Sequence, residues 1–346
     1  MSIKILGKQL QLGIARQTNW ATPVAANGAF KHIFADAGSV IPDPDVQVDE
    51  DNLTSGYGVH SELERSSVDS TSGIPKISYT MPVDVFTFAP HIISALQGVN
   101  EADIQDNFEK AVFCGGRNGV IDFNGNAGYL HTLALNPVTS GDAGMRLTNA
   151  IIDQYNLTID FNARGRARKM QASVVWAGNE LMKEETLNGV WTKTTPDYFH
   201  TSDTFAFTTL TLNGVNWVNE CVRRFELNIQ NNVARNCVTG QGKANQWDIS
   251  PVITGSIILD LNAVTEKVIG DYMSGSRNLL NWTIKNGVDT RTFKIMSLVA
   301  TKCMLTANPF QYNDDFLGVA LQFQAKSENG GNVLNCSFTD GNDWGY

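Results

Sequence analysis

The chain has 346 residues, 42% of them hydrophobic, and a formal charge of −9 at pH 7; it has room for about two domains with sizeable cores, and its acidity argues against a protein that grips nucleic acid through phosphates. Five cysteines, odd in number and without a C-x-x-C, argue against a disulfide framework or a zinc knuckle. No apolar run is long enough to span a bilayer, and the opening MSIKILGKQLQLG lacks the apolar core and small-residue cleavage site of a secretory signal, so synthesis and residence in a cytoplasm are expected.

Leu10, Leu12 and Ile14 alternate in an opening strand that enters GIARQTNWATPV, where Thr22 and Pro23 close a turn, and 30–34 is a short second strand. The character changes over 36–72. Asp36, Asp43, Asp45, Asp49, Glu50, Asp51, Glu62, Glu64 and Asp69 face one basic residue, Arg65, and periodicity is weak. A stretch this long is uncommon in a compact domain. It is either a solvated loop or an arm that orders against another subunit.

Ile77, Tyr79, Met81 and Val83 then alternate as a strand, and Phe88, Ile92, Ile93 and Leu96 take helical spacing before Gly98, a helix stop. Next comes FCGGRNGVIDFNGNAGYLHTLALN, where glycine turns separate short strands over 120–123 and 129–135. GGRNG lacks the Lys-Ser/Thr of a phosphate loop and reads as a turn.

The centre of the pattern is YNLTIDFNARGRARKMQASVVW. Tyr155, Leu157, Ile159 and Phe161 alternate with polar residues, and after a turn around Gly165 the alternation resumes at Met170, Ala172, Val174 and Trp176. Successive strand side chains point to opposite faces, so this is a hairpin burying one face. A polar connection over 179–204, carrying Trp191 and Pro196, divides the chain.

The second half repeats the plan: strands at 205–212 and in FELNIQ, a strand with Ile257, Leu259 and Leu261, and a helix with Val264, Val268, Ile269 and Tyr272 before Gly275. Strands over 280–284 and 293–298 follow. Leu317, Val319, Leu321 and Phe323, then Leu334, Cys336 and Phe338, echo the central hairpin at a constant shift of 162 (323 against 161, 338 against 176). That suggests a duplicated unit. The expected fold is mainly β: two tandem β-sandwich domains, 1–198 and 199–346, each with a flanking α-helix and a long loop or hairpin.

Chemistry is sparse. The five histidines are scattered without H-E-x-x-H or a cysteine at ligand spacing, and no G-x-S-x-G occurs. No catalytic residue, metal site or cofactor is expected, and the chain reads as a non-enzyme. Arg164, Arg166, Arg168 and Lys169 crowd the hairpin turn. They are a solvated turn or a contact for an acidic partner, for which Asp43, Asp45, Asp49, Glu50 and Asp51 are candidates; such a pairing would join stacked copies head to tail.

The order of GIARQTNWATPV, the long polar loop, ISYTMPVDVFTFAPHIISALQG, NLTIDFNARGRARKMQASVVWAGN, RRFELNIQNNV, ITGSIILDLNAVTEKVIGDYMSG and GVALQFQAKS resembles the tail tube proteins (major tail proteins) of long-tailed bacteriophages, of the duplicated-domain type. RQTNWATP departs from the family's acidic-residue-plus-Gly-Thr opening turn. The resemblance implies a virion protein, made in the host cytoplasm, whose copies form rings stacked into the tail around a tape measure protein. A tail terminator and distal tail proteins would meet its ends, and double-stranded DNA would pass through without specific binding.

Three duplicated subunits would make a ring, or six if the chain is not duplicated. Unpaired sheet edges would join between copies. Asn156, Thr158, Asp160, Gln322 and Gln324, on the polar faces of the hairpins, suit the lumen of such a tube and equally any solvated sheet. The alternative is a capsid-decorating or receptor-binding β-module, which would expose aromatic residues such as Trp191, Trp217 and Trp344.

Overall fold

The computed structural model describes residues 10–17, 22–24, 29–44, 47–48, 68–69, 73–96, 109–114, 119–121, 130–137, 144–162, 169–184, 191, 195–199, 205–238, 244–260, 270, 279–286, 296–306, 310–313, 316–326 and 333–339. The strands of the first half are β1 (Leu10–Arg16), β2 (Lys31–Ile33), β3 (Ile41–Asp43), β4 (Gln47–Val48), β5 (Val68–Asp69), β6 (Lys76–Pro82), β7 (Glu109–Cys114), β8 (Gly119–Ile121), β9 (His131–Pro137), β10 (Gly144–Asp160), β11 (Gln171–Ala177) and β12 (Glu180–Glu184). Helix α1 (Val85–Leu96) follows β6. The second half holds β13 (Phe205–Leu212), β14 (Val215–Asn216), β15 (Val222–Gln230), β16 (Ala234–Val238), β17 (Ala244–Ile249), β18 (Val252–Asp260), β19 (Leu279–Asn286), β20 (Met296–Leu305), β21 (Phe310–Asn313), β22 (Phe316–Ala325) and β23 (Leu334–Thr339). The fold is mainly β, with every described strand pairing antiparallel.

One layer runs β3–β6–β11–β10–β15–β18–β22–β21. The other runs β14–β13–β19–β20–β23–β7. They join where one edge of β20 meets β22 through Cys303–Leu305 and β23 through Met296–Val299. Followed pair by pair, this network never returns to its starting strand, so among the described residues it is an open sheet folded over on itself, with terminal strands that have one neighbour each. The folding-over is visible in the aromatic contacts: Trp282 of β19 lies 4.9 Å from Phe225 of β15, and Phe207 of β13 lies 5.9 Å from the same ring.

The long strand β10 belongs to two sheets. Gly144–Thr148 pairs with β12, and Met145–Leu147 with β9, which continues to β1 and β2; beyond Ile151 the strand pairs with β11 and β15. Register shifts at Leu147/Ala150 and Ile152/Gln154, with Asn149 at φ 51°, re-aim it between the two.

A single hydrophobic cluster gathers Leu12, Tyr79, Leu157 and Trp176 with Phe225, Ile257, Trp282 and Phe323. Neither layer breaks at 198/199 among the described residues: β10 pairs with β15 across it, and β7 of the first half pairs with β23 of the second. The closing hairpin expected near the C-terminus is split, since β22 and β23 each pair with β20. The partners of the two halves also differ: β6 pairs with the second arm of the central hairpin, whereas β18 pairs with β22, the echo of its first arm.

Helix α1 lies deeper than a flanking helix. All of its residues but Phe86 are buried, and it packs against β10 and β15 of one layer and β7 and β23 of the other. Its polar residues are satisfied internally: Ser94 Oγ accepts from Ile152 N at 3.0 Å, and Asn231 Nδ2 donates to Ala95 O at 2.9 Å near the helix end. The second expected helix, with Val264, Val268, Ile269 and Tyr272, lies outside the described residues. The supposed polar connection 179–204 opens with strand β12 and contributes Trp191 and Phe199 to the core. Among the described residues no helix is long and apolar enough to cross a membrane.

Candidate functional site

Alternation puts the apolar side chains of six adjacent strands into the core and leaves their polar partners on one outer face. Inside, Met81, Ala172, Leu157, Leu227, Gly255 and Phe323 stand opposite one another in sequence across β6, β11, β10, β15, β18 and β22. Outside, the neighbouring row reads Thr80, Ser173, Asn156, Asn228, Thr254 and Gln324. The next reads Pro82, Gln171, Thr158, Glu226, Ser256 and Gln322. Four of the five residues expected on a polar wall, Asn156, Thr158, Gln322 and Gln324, therefore lie in two adjacent rows. Asp160, opposite Arg224, begins a third.

The face is concave. A hollow of about 640 Å³ is lined by Asn156, Thr158, Asn228, Thr254, Ser256 and Gln322, among others. Oδ1 of Asn156 and of Asn228, cross-strand neighbours, are buried and have no hydrogen-bond partner, so the floor of the hollow keeps spare accepting capacity. These rows supply uncharged hydroxyl and amide groups over most of their length.

Charge on this face is sparse, and most of it is matched: Glu226, in the second row, also lines the hollow. Arg224 Nη2 lies 2.5 Å from Glu226 Oε1, while Ser256 Oγ donates to Glu226 Oε2 at 3.1 Å. Arg223, in the register shift of β15, pairs with Asp260. Lys76 Nζ lies 3.1 Å from Asp153 Oδ2. Lys326 follows β22 as an exposed cation beyond the last pairing.

Arg164, Arg166 and Arg168 lie outside the described residues, as do Asp45, Asp49, Glu50 and Asp51. Lys169 places its ammonium 3.6 Å from the centroid of the Tyr198 ring, a cation–π contact within the chain. Asp43 ends the edge strand β3, in register with Lys76. Trp191 is 4% exposed, stacked on Phe30 and set over Gly13, and Trp217 is 3% exposed in the main core. Trp344 lies outside the described residues.

The sequence reading missed the contribution of β15 and β18. Asn228, Glu226, Thr254 and Ser256 alternate with buried residues just as the hairpin residues do; that alternation was the available signal, but strand adjacency is not written in it. No protein-family model matches this chain, and no curated protein matches it significantly.

Proposed function

We propose that this chain is a structural virion protein whose copies close into rings and stack as the tube of a bacteriophage tail, the conduit for DNA delivery, with no catalytic role. The observation that carries the reading is the concave polar face, mostly hydroxyl and amide groups, shared by six strands from both halves, on a layer that ends in β3 and β21. Among the described residues β3 pairs only with β6, and β21 only with β22. Edge strands with one neighbour are templates for pairing with another chain, and a heterologous contact of that kind closes by rotation into a ring.

Each half supplies four strands of this layer: β3, β6, β11 and β10, then β15, β18, β22 and β21. On that count three copies make the ring, each standing for two units; six copies are the arrangement if the chain acts as one. The polar face then turns inward, first toward a tape measure protein and later toward a duplex bearing one negative charge per about 1.7 Å. Tail terminator and distal tail proteins would cap the two ends, and the protein would pass from the host cytoplasm into the virion tail. A receptor-binding module, the alternative, gains nothing from Trp191 and Trp217, both buried.

Electron microscopy of the purified protein, alone and at increasing concentration, tests the reading. Rings or hollow tubes are expected, with three- or sixfold end views. Discrete solid particles at every concentration would overturn it.

A further inference from the structure

We propose that the carboxylates on and beside the polar face are charge locks, and that Glu226 above all keeps this wall from holding a polyanion by occupying the guanidinium of Arg224. The inference rests on the tube reading, and names duplex DNA as the polymer that the wall must not grip. Within the six strands this face carries Arg224 and Lys76, at opposite ends, with Arg223 next to Arg224 in the register shift; the exposed Lys326 lies one residue beyond β22. The first three each have a carboxylate: Glu226 at 2.5 Å from Arg224, Asp153 at 3.1 Å from Lys76, and Asp260 on Arg223.

Glu226, two residues along its own strand, is the carboxylate in contact with Arg224. Asp160 faces it in register on β10, with Oδ1 accepting from Asn162 N at 2.9 Å, and adds negative charge across the strand pair. Glu226 is itself fixed by Ser256. A guanidinium presents a rigid fork of donors that matches phosphate oxygens, and a ring would repeat Arg224 around the bore. Left unpaired, it would make a collar of phosphate ligands across the path of the duplex. The side chains of Arg224 and Glu226 are 46% and 41% exposed, and pairs so exposed contribute little to stability. The lock is therefore removable without unfolding the sheet.

The experiment compares the wild type with Glu226→Gln/Asp160→Asn and with the same double variant carrying Arg224→Gln. Binding of a fluorescently labelled duplex is read by anisotropy at several salt concentrations, and each sample is imaged by electron microscopy. The double variant is expected to bind at low salt about tenfold or more tightly than the wild type, with a log–log salt slope steeper by about 0.9 for each additional phosphate it neutralises. Arg224→Gln is expected to return it to the wild-type level. A double variant that binds no better than the wild type, or binding that survives Arg224→Gln, overturns the proposal. The images separate the two readings: tubes without tighter binding sink the charge lock alone, whereas tighter binding by protein that forms no tubes supports the lock and sinks the tube.

Discussion

The hydroxyl of Tyr79 stands 2.6 Å from Nε2 of His91, joining strand β6 to helix α1 inside the core. His91 Nδ1 lies 2.5 Å from the carbonyl of Thr87, which can only accept, so Nδ1 carries the proton and Nε2 accepts from Tyr79. The same Tyr79 oxygen accepts from Trp176 Nε1 at 2.8 Å. Three elements are thus tied by one chain of hydrogen bonds, in which every donor has an acceptor. Tyr79→Phe leaves both Trp176 Nε1 and His91 Nε2 unmatched in the core. The expected loss is about 2–4 kcal/mol, since each buried unsatisfied group costs about 1–3 kcal/mol, read by equilibrium unfolding in urea. A loss below about 0.5 kcal/mol would mean that water or repacking serves these groups.

Two buried groups here, His91 within this network and Asp84 bonded to it through Thr87, titrate in opposite senses. Burial holds His91 down from its ordinary 6.5 to about 4. Asp84, 3% exposed just before the helix, is pushed up from 3.8 to about 6; burial outweighs the hydrogen bonds it accepts from Asp197 N, Phe86 N and Thr87. For His91 the unfolded chain binds more protons between pH 6.5 and 4, so its contribution is present above pH 6.5 and lost as pH falls through 4. For Asp84 the folded chain binds more protons between 3.8 and 6, so its contribution is present below 3.8 and lost as pH rises through 6. Each displacement corresponds to about 3 kcal/mol. The slopes oppose, and the wild type should be nearly level between pH 4 and 6. Asp84→Asn, still a good helix cap, should make stability fall toward acid; His91→Gln should make it rise. Parallel curves for all three proteins would refute this assignment.

Gly255 is needed for room rather than for backbone freedom. It faces the core between Leu227 and Phe323, where an added Cβ would run into Glu226 O and lie 2.5 Å from Phe323 Cζ. The first of those atoms is backbone and does not yield. Gly255→Ala is expected to cost about 1–3 kcal/mol through overpacking, while Thr254→Ala, on the outer face of the same strand, stays within about 0.5 kcal/mol. Thermal unfolding of the two variants compares them directly; equal melting temperatures would show that β18 shifts to accommodate the methyl group.

Individual strands were legible wherever one face is buried, as at Tyr155, Leu157 and Ile159, because a period of two survives only when the environments differ. Strand β9 was expected over 129–135 without that signal: His131 to Asn136 are all buried, with Leu133 on one core and Ala134 on another, and the flanking glycine turns marked it instead. Glu180–Glu184 read as polar connection because β12 lies at the border of its sheet, held among the described residues by β10 alone. Helix α1 was found at nearly its true bounds, but Thr87, His91 and Ser94 gave no hint of burial; their partners, Tyr79 on β6 for His91, Ile152 on β10 for Ser94, and Asp84 and His91 for Thr87, make it tolerable. The candidate face was half visible for the same reason. Asn156 and Gln324 could be named from alternation, whereas their union depends on β15 and β18 coming between the hairpin and its echo, a long-range choice that any amphipathic strand could fill.

The reading of β3 as a junction can be tested without touching the core. Ile41 is 58% exposed on this strand, an apolar side chain on an edge that natural sheets usually blunt with charge. Its cross-strand partner is Ser78, so it stands on the outer face, at the margin of the polar rows. Ile41→Lys removes no buried contact of consequence, and the folded subunit should keep its stability within about 0.5 kcal/mol. A lysine there would have to be desolvated for a neighbouring strand to dock beside it, which the docking energy of a three-residue strand cannot readily offset. The expected outcome is a well-folded, monodisperse subunit by circular dichroism and light scattering that fails to form rings at concentrations where the wild type does. Unchanged assembly of Ile41→Lys would place the junction away from β3 and leave β21 as the edge to alter next.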